Sequence, residues 1–221
     1  VRHHLVNFIR PDHGFSLAKY KKLAVRKINE ILARGKRAFL VGGTWLYVRG
    51  VVDNLDIPAI APDKKFRNKL YKMSAKFLWK RLKEADPEAA AKIHENDVRR
   101  VIRALEVIHF SGKKISEQQK MGEPLYQVLK IGIKRDLDEV EERVRARIKK
   151  EMGEKLIRET RKLLKKYSPK LPAMSSLGYR EIGEYLRGDI SLDEAILKIK
   201  QVTRRYAKRQ MTWFKRDKSI V

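Results

Sequence analysis

Three stretches of this 221-residue chain place side chains of chemically useful types at useful spacings. The first is Gly42-Gly43-Thr44, which separates an apolar run at 38–41 from an apolar-periodic run ending at Val52. A Gly-rich turn between strand and helix lets the backbone approach a ligand closely. The helix start beyond it offers unpaired N–H donors to phosphate or another electron-rich group. Thr44 is placed to cap that helix or to turn its hydroxyl toward the guest; the plainer reading of the same residues is an ordinary strand-to-helix connection. The second stretch is Arg99, Arg100 and Arg103, following Asn96-Asp97. The four-residue step sets Arg99 and Arg103 on one helix face, and forked guanidinium groups suit phosphates. The alternative is a solvated charged face in which Glu106 partners Arg103. The third is Arg143 and Arg147, which share a face suited to a diphosphate, with ion pairs to helix-mate glutamates as the alternative. His3, His4 and His13 have no carboxylate or further His at helical spacing nearby, so they read as hydrogen-bonding histidines and no metal site is expected of them.

Several elements must hold these groups. Ser16 to Arg34 is an amphipathic helix, capped by Ser16 and stopped by Gly35, with Leu17, Tyr20, Leu23, Ala24, Ile28, Ile31 and Leu32 as its apolar stripe. Residues 38–41 then predict a short strand, and 44–52 a helix. Pro58 and Pro62 punctuate an irregular linker. From Lys64 to Gln119 every signal is helical and basic. Asp86-Pro87 starts one short helix, and Asn96-Asp97 starts a stronger one with Val98, Val101, Ile102, Leu105 and Ile108 as its buried face. Tyr126 to Lys134 alternates and is β-rich, which predicts a second core strand. Asp136 to Tyr167 reads as one long helix, with Val140, Val144, Ile148 and Met152 turned inward and Glu139/Arg143, Glu141/Arg145 and Glu154/Arg158 at the pairing distance. A proline-bounded linker leads to Ser175-Ser176-Leu177-Gly178-Tyr179-Arg180. Ser191 and Glu194 then form a capping box that launches the last helix, to about Phe214. On that helix Tyr206, Trp213 and Phe214 are read as core, and Arg204, Arg205, Lys208 and Arg209 as a contact surface.

Charge narrows the partner. Against 27 acidic residues stand 53 Lys and Arg, a net charge of +26. An excess of that size repels itself, and a polyanion is the usual partner that relieves it, because binding releases counterions condensed on phosphates. Nucleic acid is favoured over an anionic membrane surface. The absence of Cys excludes disulfides, thiolate catalysis and thiolate-bound zinc. No run is long and apolar enough to span a bilayer, which points to a soluble protein; the cytoplasm is its expected location. Abundant Lys, Arg and Glu with few Asn and Gln also suit a heat-adapted chain.

In combination the motifs are specific. His3-His4-Leu5, Leu40-Val-Gly-Gly-Thr-Trp-Leu-Tyr47, the run Ile93 to Val107 with Ser111-Gly-Lys113, Leu177-Gly-Tyr-Arg180, and Thr203 to Trp213 together resemble the tRNA dimethylallyltransferase family, in order and across essentially the whole chain. The resemblance implies an α/β, P-loop NTPase-like core with an inserted all-helical subdomain that grips the tRNA anticodon arm. The core occupies residues 1–60 and 122–221, the insertion 61–121. The implied reaction transfers a dimethylallyl group from dimethylallyl diphosphate to N6 of the adenosine 3′-adjacent to the anticodon, with Mg²⁺ assisting the diphosphate. By motif match Thr44 meets the target nucleotide, and Arg67, Arg99, Arg100 and Arg103 hold the anticodon loop. Ser175, Ser176, Gly178, Tyr179 and Arg180 line the RNA surface, and Arg143 or Arg147 faces the diphosphate. Arg2 and Asn7 differ from the Pro and Asp usual beside the His-His-Leu motif. The family's phosphate-binding loop and its general-base Asp do not lie in these 221 residues. The chain as given is therefore expected to lack an N-terminal segment and to be inactive alone. The resemblance further implies a monomer. The alternatives are an enzyme acting on free adenine nucleotide and a non-catalytic basic RNA-binding protein.

Overall fold

A computed structural model describes residues 1–58, 60–118, 121–148 and 154–221. Contacts within the chain cluster into two units, one formed by residues 15–42 and 46–127, the other by 1–14, 43–45 and 128–221.

In the first unit α1 (Leu17–Leu32) starts where expected, with the Ser16 hydroxyl accepting from the Lys19 N–H. Its Tyr20 ring stacks on Tyr47 of α2 (Trp45–Val52), centroids 4.6 Å apart. Gly50 is buried, and a Cβ there would lie 2.8 Å from a Leu17 methyl, so α1 and α2 approach closely enough that any larger residue would displace the Leu17 side chain. Four helices and a short turn of helix then build the basic bundle: α3 (Lys64–Leu70), α4 (Ala75–Ala85), α5 (Pro87–Lys92), α6 (Val98–Ser111) and α7 (Ile115–Gln118). Side-chain caps set four of these starts, from Asp63, Ser74, Asp86 and Asp97. Gly112, at φ 68°, ends α6 in the left-handed region that glycine tolerates. Leu78, Leu82, Val101, Ile102 and Val107 are fully buried between α4 and α6. Asp86 is also buried, and it caps α5 while accepting from both the N–H and the hydroxyl of Ser116, which ties α5 to α7. Burial alone would raise the pKa of the Asp86 carboxyl; these bonds outweigh it and hold the carboxylate ionised.

The second unit is built from α8 (Leu137–Arg147), α9 (Glu154–Leu164), a short 3-10 turn at Pro172–Ser175, α10 (Tyr179–Leu186) and α11 (Leu192–Phe214). Ile148, Ile182, Ala195 and Ile199 form its core, with Val144 packed against them. The expected single helix from Asp136 to Tyr167 corresponds to α8 and α9; Met152 lies outside the described residues. The Ser191–Glu194 capping box is present in both directions.

Two expectations fail. Neither 38–41 nor 126–134 is a strand, and among the described residues pairing is limited to isolated bridges, Leu55 with Met121 and Lys130 with Ile220. The described chain is helical. Phe39 and Val41 are 81% and 89% exposed, and Leu129, Ile131 and Ile133 exceed 70%. Alternating and β-branched residues record a fit to a pleated, half-buried surface, not the presence of a neighbour to pair with. The aromatic assignment on α11 also changes. Tyr206 and Trp213 are over one-third exposed, with Arg216 packed over the Trp213 ring, whereas Phe214 meets Trp45 edge-on at 5.6 Å. Only the first half of α11 reaches the apolar core, so the aromatics of its second half meet short segments and solvent instead.

The last residues clip 130–132 in place. Val221 N–H donates to the Lys130 carbonyl at 3.0 Å, Gly132 N–H to the Val221 carbonyl at 2.8 Å, and Lys130 Nζ to Asp217 at 2.9 Å. The Ser219 hydroxyl, and then Lys130, hold the Asp217 carboxyl down to about 2 against the opposing effect of burial. A depressed carboxylate contributes stability above its unfolded value, which is lost as pH falls toward the folded one. Between about pH 4 and pH 2 the clip should therefore give up about 1–2 kcal/mol. Asp217→Asn should flatten that limb in thermal melts against pH, and a limb of unchanged depth would refute the assignment.

Candidate nucleic-acid interface

Glu106 organises the arginines of the helical unit. Its side chain is fully buried on α6, and four donors converge on it. Arg67 Nε and Nη2 reach its two oxygens at 2.8 and 2.6 Å, Arg103 Nη1 lies at 2.6 Å, and the Asp63 backbone N–H at 2.8 Å. Arg103 Nη2 donates also to the Ile60 carbonyl at 2.9 Å. Burial by itself would raise the Glu106 pKa; the bonds from Arg67, Arg103 and Asp63 overcome it and keep the carboxyl below its ordinary range. Two guanidinium groups around one carboxylate leave a net positive cluster whose geometry is set in advance of any ligand. Both arginine side chains remain over one-quarter exposed, so their outer edges stay open to an anion.

Of the two readings of this helix, the pairing of Glu106 with Arg103 is the one observed, around a buried carboxylate and not on a solvated face. Arg103 turns to Glu106 and to the 60–63 segment, because a buried carboxylate demands compensation that a solvated one does not. Arg99 and Arg100 remain at the surface, and Arg100 makes only a 3.9 Å approach to Asp97.

The 175–180 loop repeats the arrangement. Ser175 and Ser176 hydroxyls donate to the carbonyls of Pro172 and Ala173, which closes the turn. Gly178 adopts φ 92°, and its N–H donates to Glu181 Oε2 at 2.8 Å, one half of a capping box. Glu181 is buried, and its other oxygen accepts from Arg180 Nε and Nη2 at 3.2 and 3.1 Å. Arg180 is thus held against the loop with its side chain about half exposed. Tyr179 donates to Glu159 at 2.9 Å, and burial together with that carboxylate pushes its hydroxyl pKa up. Sequence reasoning missed Glu181, since a glycine at the cap position hides the usual Ser or Thr signature.

Thr44 is exposed immediately before the first residue of α2. The two glycines before it differ. A side chain at Gly42 would meet nothing within 4 Å, leaving the turn open to a guest, but Gly43 is covered by α11. Its carbonyl accepts from Gln210 Nε2 at 3.0 Å, a residue for which sequence reasoning assigned no role. Arg143 and Arg147 lie on α8, where Arg143 Nε pairs with Glu139 at 3.0 Å, the ion-pairing alternative. Glu141 pairs not with Arg145 but with Arg204 of α11, at 2.8 Å, beside a groove of about 210 Å³ that Arg145 and Lys200 also line. Among the described residues no group of three or more His, Asp or Glu side chains is placed to hold a metal ion. Among the same residues no helix is long and apolar enough to cross a membrane.

Removing the Glu106 charge tests the cluster. Glu106→Gln should cost about 2–3 kcal/mol of stability in denaturant unfolding, below the full value for a deeply buried pair because both arginines can reach water. A change under about 0.5 kcal/mol, the usual range for surface substitutions, would show that the cluster is ordinary surface pairing.

Comparison with known proteins places these features in a family. The IPP transferase family model matches residues 1–217. A tRNA dimethylallyltransferase of Thermoanaerobacter sp. (strain X514) is 45% identical over 225 residues, covering 97% of this chain and 71% of its own. One from Carboxydothermus hydrogenoformans is 44% identical, covering 100% and 73%. Among solved structures, the full-length tRNA isopentenylpyrophosphate transferase of Bacillus halodurans is similar at TM-score 0.68 and 36% identity, covering all of this chain and 71% of that one. A eukaryotic dimethylallyltransferase captured acting on tRNA is similar at TM-score 0.80 and 25% identity, covering 96% and 56%. The chain belongs to the IPP transferase family.

Proposed function

We propose that this protein transfers a dimethylallyl group from dimethylallyl diphosphate to N6 of the adenosine 3′-adjacent to the anticodon of tRNA. The observation that carries the reading is the match to tRNA dimethylallyltransferases along 97–100% of the chain. The Glu106 cluster supports it from the structure, as a set of fixed cations with open outer edges. Arginines whose forks are fixed before binding suit the phosphates and splayed bases of a loop, and a base modified at N6 must leave its stack to be reached.

In this reading Arg67, Arg99, Arg100 and Arg103 engage the anticodon loop. The loop from Ser175 to Arg180 adds a second contact, Thr44 meets the extruded nucleotide, and Arg143 or Arg147 faces the diphosphate. The P-loop-like α/β core belongs to the same reading, and so do Mg²⁺ on the diphosphate, a monomeric state and the cytoplasm. An activity on free adenine nucleotide would leave the basic bundle idle. Its residues 61–121 carry sixteen Lys and Arg against eight Asp and Glu, and a mononucleotide offers too few phosphates to use them.

Prenyl transfer should be measured on tRNA and on AMP with protein expressed from the intact gene. Transfer to tRNA at more than about 100-fold the efficiency on AMP is expected, about the yield of 3 kcal/mol of extra contacts. The reverse preference would establish the nucleotide enzyme, and salt-dependent tRNA binding without turnover would establish the binding protein. In the same protein Thr44→Ala should depress transfer to tRNA and leave dimethylallyl diphosphate affinity nearly unchanged; a large loss of diphosphate affinity would instead make the Gly turn a phosphate cradle.

A further inference from the structure

The turn that carries Thr44 has few restraints of its own. Gly42 faces open space, Thr44 is exposed, and the two glycines give the backbone wide freedom. What fixes it comes from more than 160 residues away in sequence, on α11. Gln210 Nε2 donates to the Gly43 carbonyl at 3.0 Å. One helical turn earlier, on the same face, the Tyr206 hydroxyl lies 3.0 Å from where a Cβ at Gly43 would sit. Trp45, on the other side of Thr44, packs edge-on against Phe214, four residues beyond Gln210, with Lys130 Nζ 6.0 Å above its ring. Three residues of one α11 face thus bracket the turn, before and after Thr44.

We propose that Gln210 is a positioning residue: its hydrogen bond to Gly43, with Phe214 against Trp45, latches the turn so that the Thr44 hydroxyl is presented at a fixed place to the nucleotide being modified. This rests on the reading of Thr44 given above. It also assigns a reason to the second glycine. A Cβ at Gly43 would fall 2.1 Å from Gln210 Nε2 and 3.3 Å from its Cδ. The clash is with the far end of a flexible side chain, so alanine does not break the fold; it swings Gln210 away and opens the latch. Gly43→Ala and Gln210→Ala therefore break the same contact from its two ends, and two substitutions that break one contact do not add.

The test is a double-mutant cycle on prenyl transfer to tRNA, in protein expressed from the intact gene. Gly43→Ala and Gln210→Ala should each lower kcat/KM about tenfold, with KM for dimethylallyl diphosphate within about twofold of the parent, and the double variant should match the worse single one. Gln210→Glu, which keeps the shape and turns an acceptor toward the Gly43 carbonyl, should behave as Gln210→Ala and provides the measurement if the alanine variant does not fold. Losses that multiply in the double variant, or a Gln210→Glu enzyme within about twofold of the parent, overturn the latch. Thr44→Ala in the same assay separates the two levels. Full transfer by Thr44→Ala would remove the reading of the site and the latch with it, whereas impaired Thr44→Ala with additive Gly43 and Gln210 effects would remove the latch alone.

Discussion

The structure depends on a constraint that follows from its charge: a chain at +26 must keep its cations apart, yet a surface that recognises phosphates needs several of them close together. Buried carboxylates resolve the conflict. Glu106 draws Arg67 and Arg103 to within hydrogen-bond distance of one side chain, and Glu181 does the same for Arg180 and the Gly178 amide. Each carboxylate is costly to bury alone, and each is compensated by donors on neighbouring turns or elements, so loss of either partner strands the other. Geometry and charge are coupled as a result. The guanidinium groups are oriented by the fold rather than by the ligand, and less side-chain entropy is left to lose when an anion arrives.

Each unit supports its own cluster with its own core. In the bundle, α4 and α6 bury Leu78, Leu82, Val101, Ile102 and Val107, which sets α6 deep enough to bury Glu106, one residue from Val107. In the other unit, Ile182 is buried next to Glu181, so the carboxylate that holds Arg180 is anchored by the neighbouring core position. The buried acid sits beside a buried aliphatic in both cases, and the arginines sit outside. Core packing thereby determines where a surface charge points.

Much of this was legible in the sequence. Caps at Ser16, Asp86, Asp97 and Ser191 marked their helices because capping is a local event, complete within four residues. The helices of the bundle were legible from their periodicity, and the place of Arg99, Arg100 and Arg103 on one of them from their spacing. What escaped were partners distant in sequence. Nothing local in Glu106 shows that Arg67, thirty-nine residues away, closes on it, or that Gln210 reaches Gly43. The two expected strands failed for the same reason: a β-rich run states a preference for a sheet, while the sheet itself depends on a second segment that local pattern cannot supply. Phe39, Val41, Leu129, Ile131 and Ile133 keep that preference on an exposed surface. Tyr206 and Trp213 misled in the opposite sense, since aromatics at helical spacing fit a core or an exposed contact face equally well.

If buried carboxylates aim these arginines at RNA, then orientation and not charge alone must set affinity. The direct measurement is binding of an anticodon stem-loop by the parent protein and by Arg67→Lys across a salt series. Lysine keeps the charge, so the slope of log affinity against log salt should stay within about one phosphate's contribution, while the loss of the fork to Glu106 should lower affinity at every salt concentration by about tenfold. Equal affinities for the two proteins would contradict the account and reduce the interface to an unstructured positive field.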